Sequence, residues 1–440
     1  MNNEVPTVAE ISKYSLPANV GTFERIGVHT WKWAFLFAYF AMVVDGVDIM
    51  LLSYSLTSLK TEFGLSTFQA GALGSASLAG MGIGGILGGW ACDKFGRVRT
   101  IASSVTFFSI ATSILGFTQS FEQFMALRFI GALGIGALYM ACNTLMAEYV
   151  PTKYRTTVLG TLQTGQTVGY IVATLLAGAI IPDHGWRVLF FITVIPAFIN
   201  IFLQRFVPEP KSWQLTKIKA AQGTPALEKT RVKERPRKSK SIYKQIFINF
   251  KHRKMFLLWM TTAFFLQFGY YGINNWMPSY LETEVQMNFK NLTSYMVGSY
   301  TAMILGKIIA GYLADKFNRR AVFVFGTIAS AIFLPIIIFF NTPDNILYLL
   351  ITFGFLYGIP YGVNATYMAE SFSTDVRGTA IGGAYNIGRV GAAIAPATIG
   401  FLASGGTFTM AFIVMGAAYF IAGVLPGLFI KDRQYDPQHS

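Results

Sequence analysis

Charge is what this chain has least of. Only 13% of its 440 residues are Asp, Glu, Lys or Arg, where an ordinary soluble domain carries about a quarter. With 53% hydrophobic residues and a mean hydropathy of +0.47, a surface turned mainly to water is excluded. Cysteine is nearly missing as well. Cys92 and Cys142 both lie in or beside apolar runs, which excludes a disulfide framework or a zinc spacing and leaves them as packing residues. The four histidines form no His/Glu cluster, and no G-x-S-x-G or P-loop occurs, so nothing points to an enzyme, a metal or a cofactor. GMGIGG (80–85) fits G-x-G-x-x-G, but it lies inside an apolar run, where small residues let helices approach, and not between a strand and a helix. NLT (291–293) matches a glycosylation acceptor and carries no weight by itself. The opening MNNEVPTVAEISKYSLPANVGTFER is polar and mixed, unlike a cleavable signal, so the first apolar run is expected to stay as an anchor.

What the chain has instead is apolar blocks of about 20 to 25 residues, the length of helix that crosses some 30 Å of hydrocarbon. Twelve such runs are expected, near 31–56, 67–91, 99–118, 123–147, 156–181, 187–207, 255–281, 292–314, 320–340, 345–369, 378–403 and 407–430. They imply an all-α polytopic membrane protein, six spans on each side of a polar segment. The expected layout is an N-terminal segment 1–30, a first bundle 31–207, a linker 208–254, a second bundle 255–430 and a tail 431–440. Residues 208–253 hold thirteen Lys or Arg against three acids, a net +10 of the chain's formal +14. With few aromatics interleaved and membrane spans on both sides, this segment reads as a cytoplasmic basic loop near anionic headgroups, not a nucleic-acid surface. DKFGRVR, PTKYR, DKFNRR and the final KDR fall on the same side, whereas SFEQ, NTPDN and ASGGT of opposite parity are poor in Lys and Arg. Both termini are therefore expected in the cytoplasm, of a bacterial inner membrane, with the chain acting as a monomer.

The halves repeat. GGWACDKFGR (88–97) and AGYLADKFNR (310–319) align at an offset of 315 − 93 = 222, and at that offset Glu148 meets Glu370, Arg155 meets Arg377, Gly136 meets Gly358, Gly160 meets Gly382 and Tyr139 meets Tyr361. Self-similarity at half the chain length implies two pseudo-symmetric six-helix bundles related by an axis along the membrane normal. The elements built on Gly89, Asp93, Lys94, Gly96 and Arg97 resemble the G-x-x-x-D-[KR]-x-G-R loops of the major facilitator superfamily, and RFIGALGIGA (128–137) is similar to its fourth-span motif. More narrowly, D-G-x-D at 45–48 and NIGRVGA (386–392) resemble the aromatic acid:proton symporters, importers of benzoate, hydroxybenzoate and muconate, with the cis,cis-muconate importers the nearest branch. The chain departs from the pattern at Val98, where a basic residue is usual, and at Asn318, which replaces the second loop's glycine and predicts a looser loop there.

Asp45 and Asp48 are three apart on one helical face. If the first span enters hydrocarbon just after Lys32, they lie about 18 to 24 Å in, near the midplane. An ionised aspartate there costs roughly 2.5 to 3.5 kcal/mol, so both should face the protein interior or water. Low-dielectric surroundings and a like-charged neighbour favour the protonated form of a carboxylate, which suits a proton-coupling site. The bland alternative is a pair of acids bonded to backbone beside Gly46 or sitting at a wet outer mouth. Arg389, about 16 Å into its span, offers a planar fork for a substrate carboxylate, with a permanent pairing to Asp45 as the rival reading. Lys307 either snorkels to the cytoplasmic surface or forms a second anchor for a dicarboxylate. Tyr139, Asn143, Gln163, Gln166, Tyr270, Tyr271, Asn274, Asn275, Tyr361, Asn364, Tyr385 and Asn386 supply polar tips suited to a planar conjugated acid. Trp31, Trp33, Trp186 and Trp276 read as interface anchors.

The resemblance gives Gly89, Asp93, Arg97, Glu148, Arg155, Asp315, Arg319, Glu370 and Arg377 a conformational role, locking the halves together in the outward-facing state. Arg128 stands between a part in that machinery or the proton pathway and plain packing support. The expectation is thus a proton-coupled symporter that imports a small organic acid by alternating access. An efflux antiporter of the same fold and a non-transporting sensor of aromatic acids are the alternatives.

Overall fold

The computed structural model describes residues 30–150, 155–210, 213–214, 246–372 and 376–431. Twelve long helices carry the architecture of the described residues. They are α1 (Thr30–Glu62), α2 (Thr67–Phe95), α3 (Arg97–Ile114), α4 (Phe121–Tyr149), α5 (Arg155–Phe191), α6 (Ile195–Gln204), α7 (Phe250–Thr283), α8 (Phe289–Lys316), α9 (Arg319–Phe340), α10 (Ile346–Glu370), α11 (Arg377–Leu402) and α12 (Thr409–Phe429). Only eleven apolar stretches appear when helices are taken as continuous, because Val158–Gln204 runs unbroken for 47 residues. At 1.5 Å per residue that is about 70 Å, more than twice the hydrocarbon thickness. Gly185, with φ 75° and ψ 172°, breaks it into a fifth and a sixth span.

Short polar residues start the helices where the chain re-enters. Ser66 and Gln69 form a reciprocal capping box on α2, and Ser120, Asn249 and Asn288 cap α4, α7 and α8. Asn249 starts α7 at Phe250, five residues ahead of the expected 255.

The packing follows the repeat. In the first half α1 packs on α5, α2 on α4, and α3 on α4 and α6; in the second, α7 packs on α11, α8 on α10, and α9 on α10 and α12. Close approaches repeat at the same offset: a Cβ at Gly84 would lie 2.0 Å from the Leu133 carbonyl oxygen, and one at Gly306 2.1 Å from that of Phe355. Between halves, α2 packs on α11 and α5 on α8, with α1 against α7.

This seam is shut at one end and open at the other. At the end away from the basic loops, a Cβ at Gly71 would sit 2.2 Å from the Pro396 carbonyl oxygen and one at Gly178 2.7 Å from Thr293 Oγ1. Ser75 Oγ accepts from the Ala397 amide at 3.1 Å, and the Tyr170 and Tyr270 hydroxyls meet at 3.1 Å. Toward the basic end of the same four helices, Cβ atoms at Gly89, Gly160, Gly311 and Gly382 would meet nothing within 4 Å. A cleft therefore opens between the bundles at the basic end.

Trp276 and Trp186 correct the sequence reading, since both are interior residues. Trp276 is 1% exposed and donates to the Pro396 carbonyl at 2.9 Å. Trp186 is packed among Phe63, Phe124 and Phe190 and donates to Glu62 Oε2 at 2.7 Å, beside the Arg187–Glu62 ion pair. Trp33, stacked on Phe206 and 44% exposed, fits the interface role, and Trp31 is half-buried.

The two repeated loops are closed by different means. In the first, Gly96 takes φ 107° and the Glu209 carboxylate, arriving from beyond α6, accepts from the amides of Arg97 (2.7 Å), Val98 (3.1 Å) and Arg99 (2.9 Å). An anion against the free amides of a helix start is stabilised by hydrogen bonding and by the helix dipole. In the second loop Asn318 stands in place of Gly96 with φ −166°, and its own Oδ1 accepts from the Ala321 amide at 2.8 Å. The expected looseness is absent from this helix start, because a side-chain cap replaces the glycine and the external acid. A Cβ at Gly96 would also strike the Glu209 carboxylate at 2.4 Å. Gly96→Ala should therefore lower the thermal unfolding midpoint in detergent, at a cost of about 1 to 3 kcal/mol, and by less in a Glu209→Ala background, where the collision is gone. Equal losses in both backgrounds would show that the acid is not seated there.

Candidate functional site

The site lies where the cleft ends, and its charges are sorted by who holds them. Asp48, 3% exposed on α1, is held by an ion pair and a hydrogen bond. Arg128 of α4 places Nη1 2.8 Å from Asp48 Oδ2, donates from Nη2 to the Asp48 carbonyl at 2.8 Å and from Nε to Ser77 Oγ at 2.9 Å. Thr112 Oγ1 donates to Asp48 Oδ1 at 2.6 Å. Arg128 thus braces α1 against α2 and α4. It stands apart from the two charged loops with which the sequence reading grouped it.

Asp45, one turn away and 2% exposed, has no such partner. Its Oδ2 accepts from Gln166 Nε2 at 3.2 Å, and its buried Oδ1 accepts no hydrogen bond. Gln166 reaches it because α1 and α5 touch backbone to backbone: a Cβ at Gly46 would lie 2.1 Å from the Gln166 carbonyl oxygen, and one at Gly169 2.2 Å from that of Val43. Asp48 and Arg389 are the charged groups that act on Asp45 electrostatically.

Arg389 makes no ion pair among the described residues, so the rival reading of a permanent Arg389–Asp45 pair is not what the structure shows. Its guanidinium lies 5.8 Å from the centre of the Tyr385 ring, and a Cβ at Gly85 of α2 would sit 3.3 Å from Nη1. Tyr385 stacks on Tyr139, ring centres 6.3 Å apart at 15°. Asn143 donates to the Tyr139 carbonyl at 2.6 Å and accepts from Gln163 at 3.0 Å. Asn386, exposed on the open side of α11, donates to the Gly382 carbonyl at 2.8 Å. Asp45, Gln166, Gln163, Asn143, Tyr139, Tyr385 and Arg389 therefore form one polar patch with a free cation and a half-satisfied acid, and Lys307 of α8 donates to Thr167 Oγ1 of α5 at 2.8 Å.

Tyr270, Asn274 and Tyr361 belong elsewhere. Asn274 Nδ2 donates to the Tyr357 hydroxyl at 2.6 Å and to the Tyr270 carbonyl at 2.9 Å, Tyr270 stacks on Tyr357, and the Tyr361 and Tyr419 hydroxyls meet at 2.6 Å. Tyr361 and Asn274 are tied to groups of the second bundle, while the Tyr270 hydroxyl reaches Tyr170 of the first bundle and Asn274 also lines a small cavity with Asp48 and Ser77, so these three stand apart from the patch around Asp45 and Arg389. The charged loops are paired identically in each half: Arg97 with Glu148 (3.1 Å) and Asp93 (3.5 Å), Arg319 with Glu370 (2.8 Å) and Asp315 (3.2 Å). All of these pairs lie within a half. A Cβ at Gly89 would touch nothing, and the side chains of Arg155 and Arg377 lie outside the described residues. Thr112, Ser77, Thr167 and Glu209 were missed in the sequence. A lone hydroxyl in an apolar run carries no spacing signal, and Glu209 was counted only as one acid within a basic segment.

Two pseudo-symmetric helix bundles enclosing a polar, charged patch that opens to one end are the construction of a secondary membrane transporter. The chain belongs to the Major Facilitator Superfamily, whose family model matches residues 38–304 and 291–440. It is 66% identical over 416 residues to the cis,cis-muconate transport protein of Acinetobacter baylyi, covering 94% of this chain and 98% of that protein. It is 27% identical over 382 residues to the benzoate transport protein of the same organism, covering 82% of this chain and 81% of that one. Among solved structures, a D-xylose-proton symporter superposes with a TM-score of 0.75 at 19% identity, covering 92% of this chain and 99% of that one. The inward-open xylose transporter XylE of E. coli gives 0.71 at 20% identity, covering 90% and 96%.

Breaking a buried ion pair from one side strands a charge and costs about 3 to 5 kcal/mol, more than removing both partners. Arg128→Met is therefore expected to abolish recovery of folded protein from detergent extracts, whereas Asp48→Leu/Arg128→Met recovers a monodisperse peak. Equal loss in the single and double variants would contradict a self-contained bracing role.

Proposed function

We propose that the protein is a proton-coupled importer of cis,cis-muconate or a closely related small organic acid, working by alternating access in the bacterial inner membrane as a monomer with both termini in the cytoplasm. The open end of the cleft is then its cytoplasmic side and the conformation is inward-facing. The observation that carries the reading is the Asp45 carboxylate, with one oxygen unpartnered, acting on a guanidinium that has no ion-pair partner among the described residues. The 66% identical muconate transport protein supports the substrate.

The arrangement supplies a coupling mechanism. With Asp45 ionised, its field competes with an incoming anion for Arg389; a proton on Asp45 removes that competitor, and the guanidinium takes the substrate carboxylate through charge-assisted hydrogen bonds. Proton and anion thus favour each other's binding. Flux then requires that the loaded and empty carriers differ in their preference between states. Asp48 takes no direct part, since Arg128 holds its charge. Tyr139 and Tyr385 present ring faces to a flat conjugated chain. An efflux carrier for hydrophobic cations would gain nothing from an uncompensated guanidinium at this depth.

Uptake of labelled muconate into proteoliposomes tests this. Accumulation should follow an inward proton gradient and collapse with a protonophore. Asp45→Asn should lose uphill accumulation while keeping counterflow exchange, and Arg389→Leu should weaken apparent affinity by about tenfold or more. Accumulation indifferent to the protonophore would overturn proton coupling, and gradient-driven extrusion would favour the antiporter.

A further inference from the structure

We infer that Lys307 is the second anion anchor, and that the site is built to hold an elongated dicarboxylate between two cations on opposite walls of the cleft; this rests on the importer reading above and specifies its substrate class. The repeat supplies the argument. Arg389 lies at the α2–α11 seam against Gly85, and Lys307 lies at the α5–α8 seam against Thr167. At the offset of 222, Gly85 corresponds to Lys307 (307 − 85) and Thr167 to Arg389 (389 − 167). The two contacts are therefore the same contact seen in each half, with the cation on α11 at one seam and on α8 at the other. An axis that exchanges the bundles sets the two cations at equal depth on facing walls.

Lys307 is also a charge in search of a counterion. It forms no ion pair among the described residues, and the acceptor of its ammonium is the neutral, fully buried Thr167 hydroxyl. It does not snorkel: about 12 Å of helix separates it from Asp315 at the basic end, and its Nζ reaches across the seam to α5. An ammonium has three donors, and the bond to Thr167 occupies one of them. Lys307 is half-buried, and a partly desolvated cation without an anion carries a cost that a ligand bringing a carboxylate lowers. A monocarboxylate can satisfy one wall; a linear dianion satisfies both. Because the walls belong to the two interfaces between bundles, a ligand spanning them also favours closure of the cleft, which is the differential binding that transport demands.

The test compares cis,cis-muconate with the cis,cis isomer of sorbate (sorbate below), which has the same conjugated cis,cis-diene chain and one carboxylate, as competitors of labelled muconate in proteoliposomes holding wild type, Lys307→Met or Lys307→Arg. Wild type should prefer muconate by about tenfold or more. Lys307→Met should bring muconate down to the affinity of sorbate while changing sorbate by less than about twofold, and Lys307→Arg, which keeps the charge and checks that the position tolerates change, should retain most of the preference. Equal weakening of both ligands in Lys307→Met, an unchanged muconate affinity, or a wild type indifferent to the second carboxylate would overturn the inference and leave the importer reading standing. A wild type that binds neither acid would overturn both.

Discussion

A charge in hydrocarbon must be neutralised by something, and in this protein Asp48 and Arg128 neutralise each other. Their pairing, braced by Thr112 and Ser77, consumes one of the two acids of the first span and one of the interior arginines. What is left over is an acid one turn away whose second oxygen accepts no hydrogen bond, and two cations with no ion-pair partner among the described residues. Without that pairing five charges would compete for each other; with it in place, three remain outside it, Asp45, Arg389 and Lys307.

The same reasoning separates the halves. At the repeat offset, Asp45 and Asp48 correspond to Gln267 and Tyr270, so the second bundle carries no acids at these positions. Gln267 donates to the Tyr385 carbonyl at 3.1 Å, and Tyr270 stacks on Tyr357 while its hydroxyl meets that of Tyr170. Pseudo-symmetry fixes where groups can sit, and the departures from it decide which of them do chemistry. One bundle carries the half-satisfied acid Asp45 and the other the unpaired Arg389 guanidinium, so the patch is assembled from both.

Much of the architecture was legible because it follows from covalent spacing. Span lengths, the break between halves and the offset of 222 are properties of one dimension, and the paired loop charges at 93/97 and 315/319 close as their spacing implies. The site was harder. Asp48 and Arg128 are eighty residues apart and no periodicity links them, so the two acids of the first span read as one unit. Tyr270, Asn274 and Tyr361 looked like ligands because a polar tip in an apolar helix gives no clue whether it meets a substrate or another polar tip. Trp186 and Trp276 were misplaced for a related reason: an aromatic near a span end looks the same whether it faces lipid or a neighbouring helix. The break between the fifth and sixth spans was legible too, since the polar stretch 182–186 left between 156–181 and 187–207 contains Gly185, although the helix runs on almost unbroken around it.

The unequal closing of the two repeated loops has a mechanical side. Glu209 stitches the rim of the first bundle to the strand of chain that leaves it, and Trp213 adds a bond to the Asp93 carbonyl at 3.0 Å. The second rim is self-tied through Asn318, and the position matching Glu209 is Lys431, an exposed residue of the opposite sign. Tension applied where the chain leaves the first bundle would therefore be passed through the Glu209 carboxylate straight to the start of α3, beside Gly96.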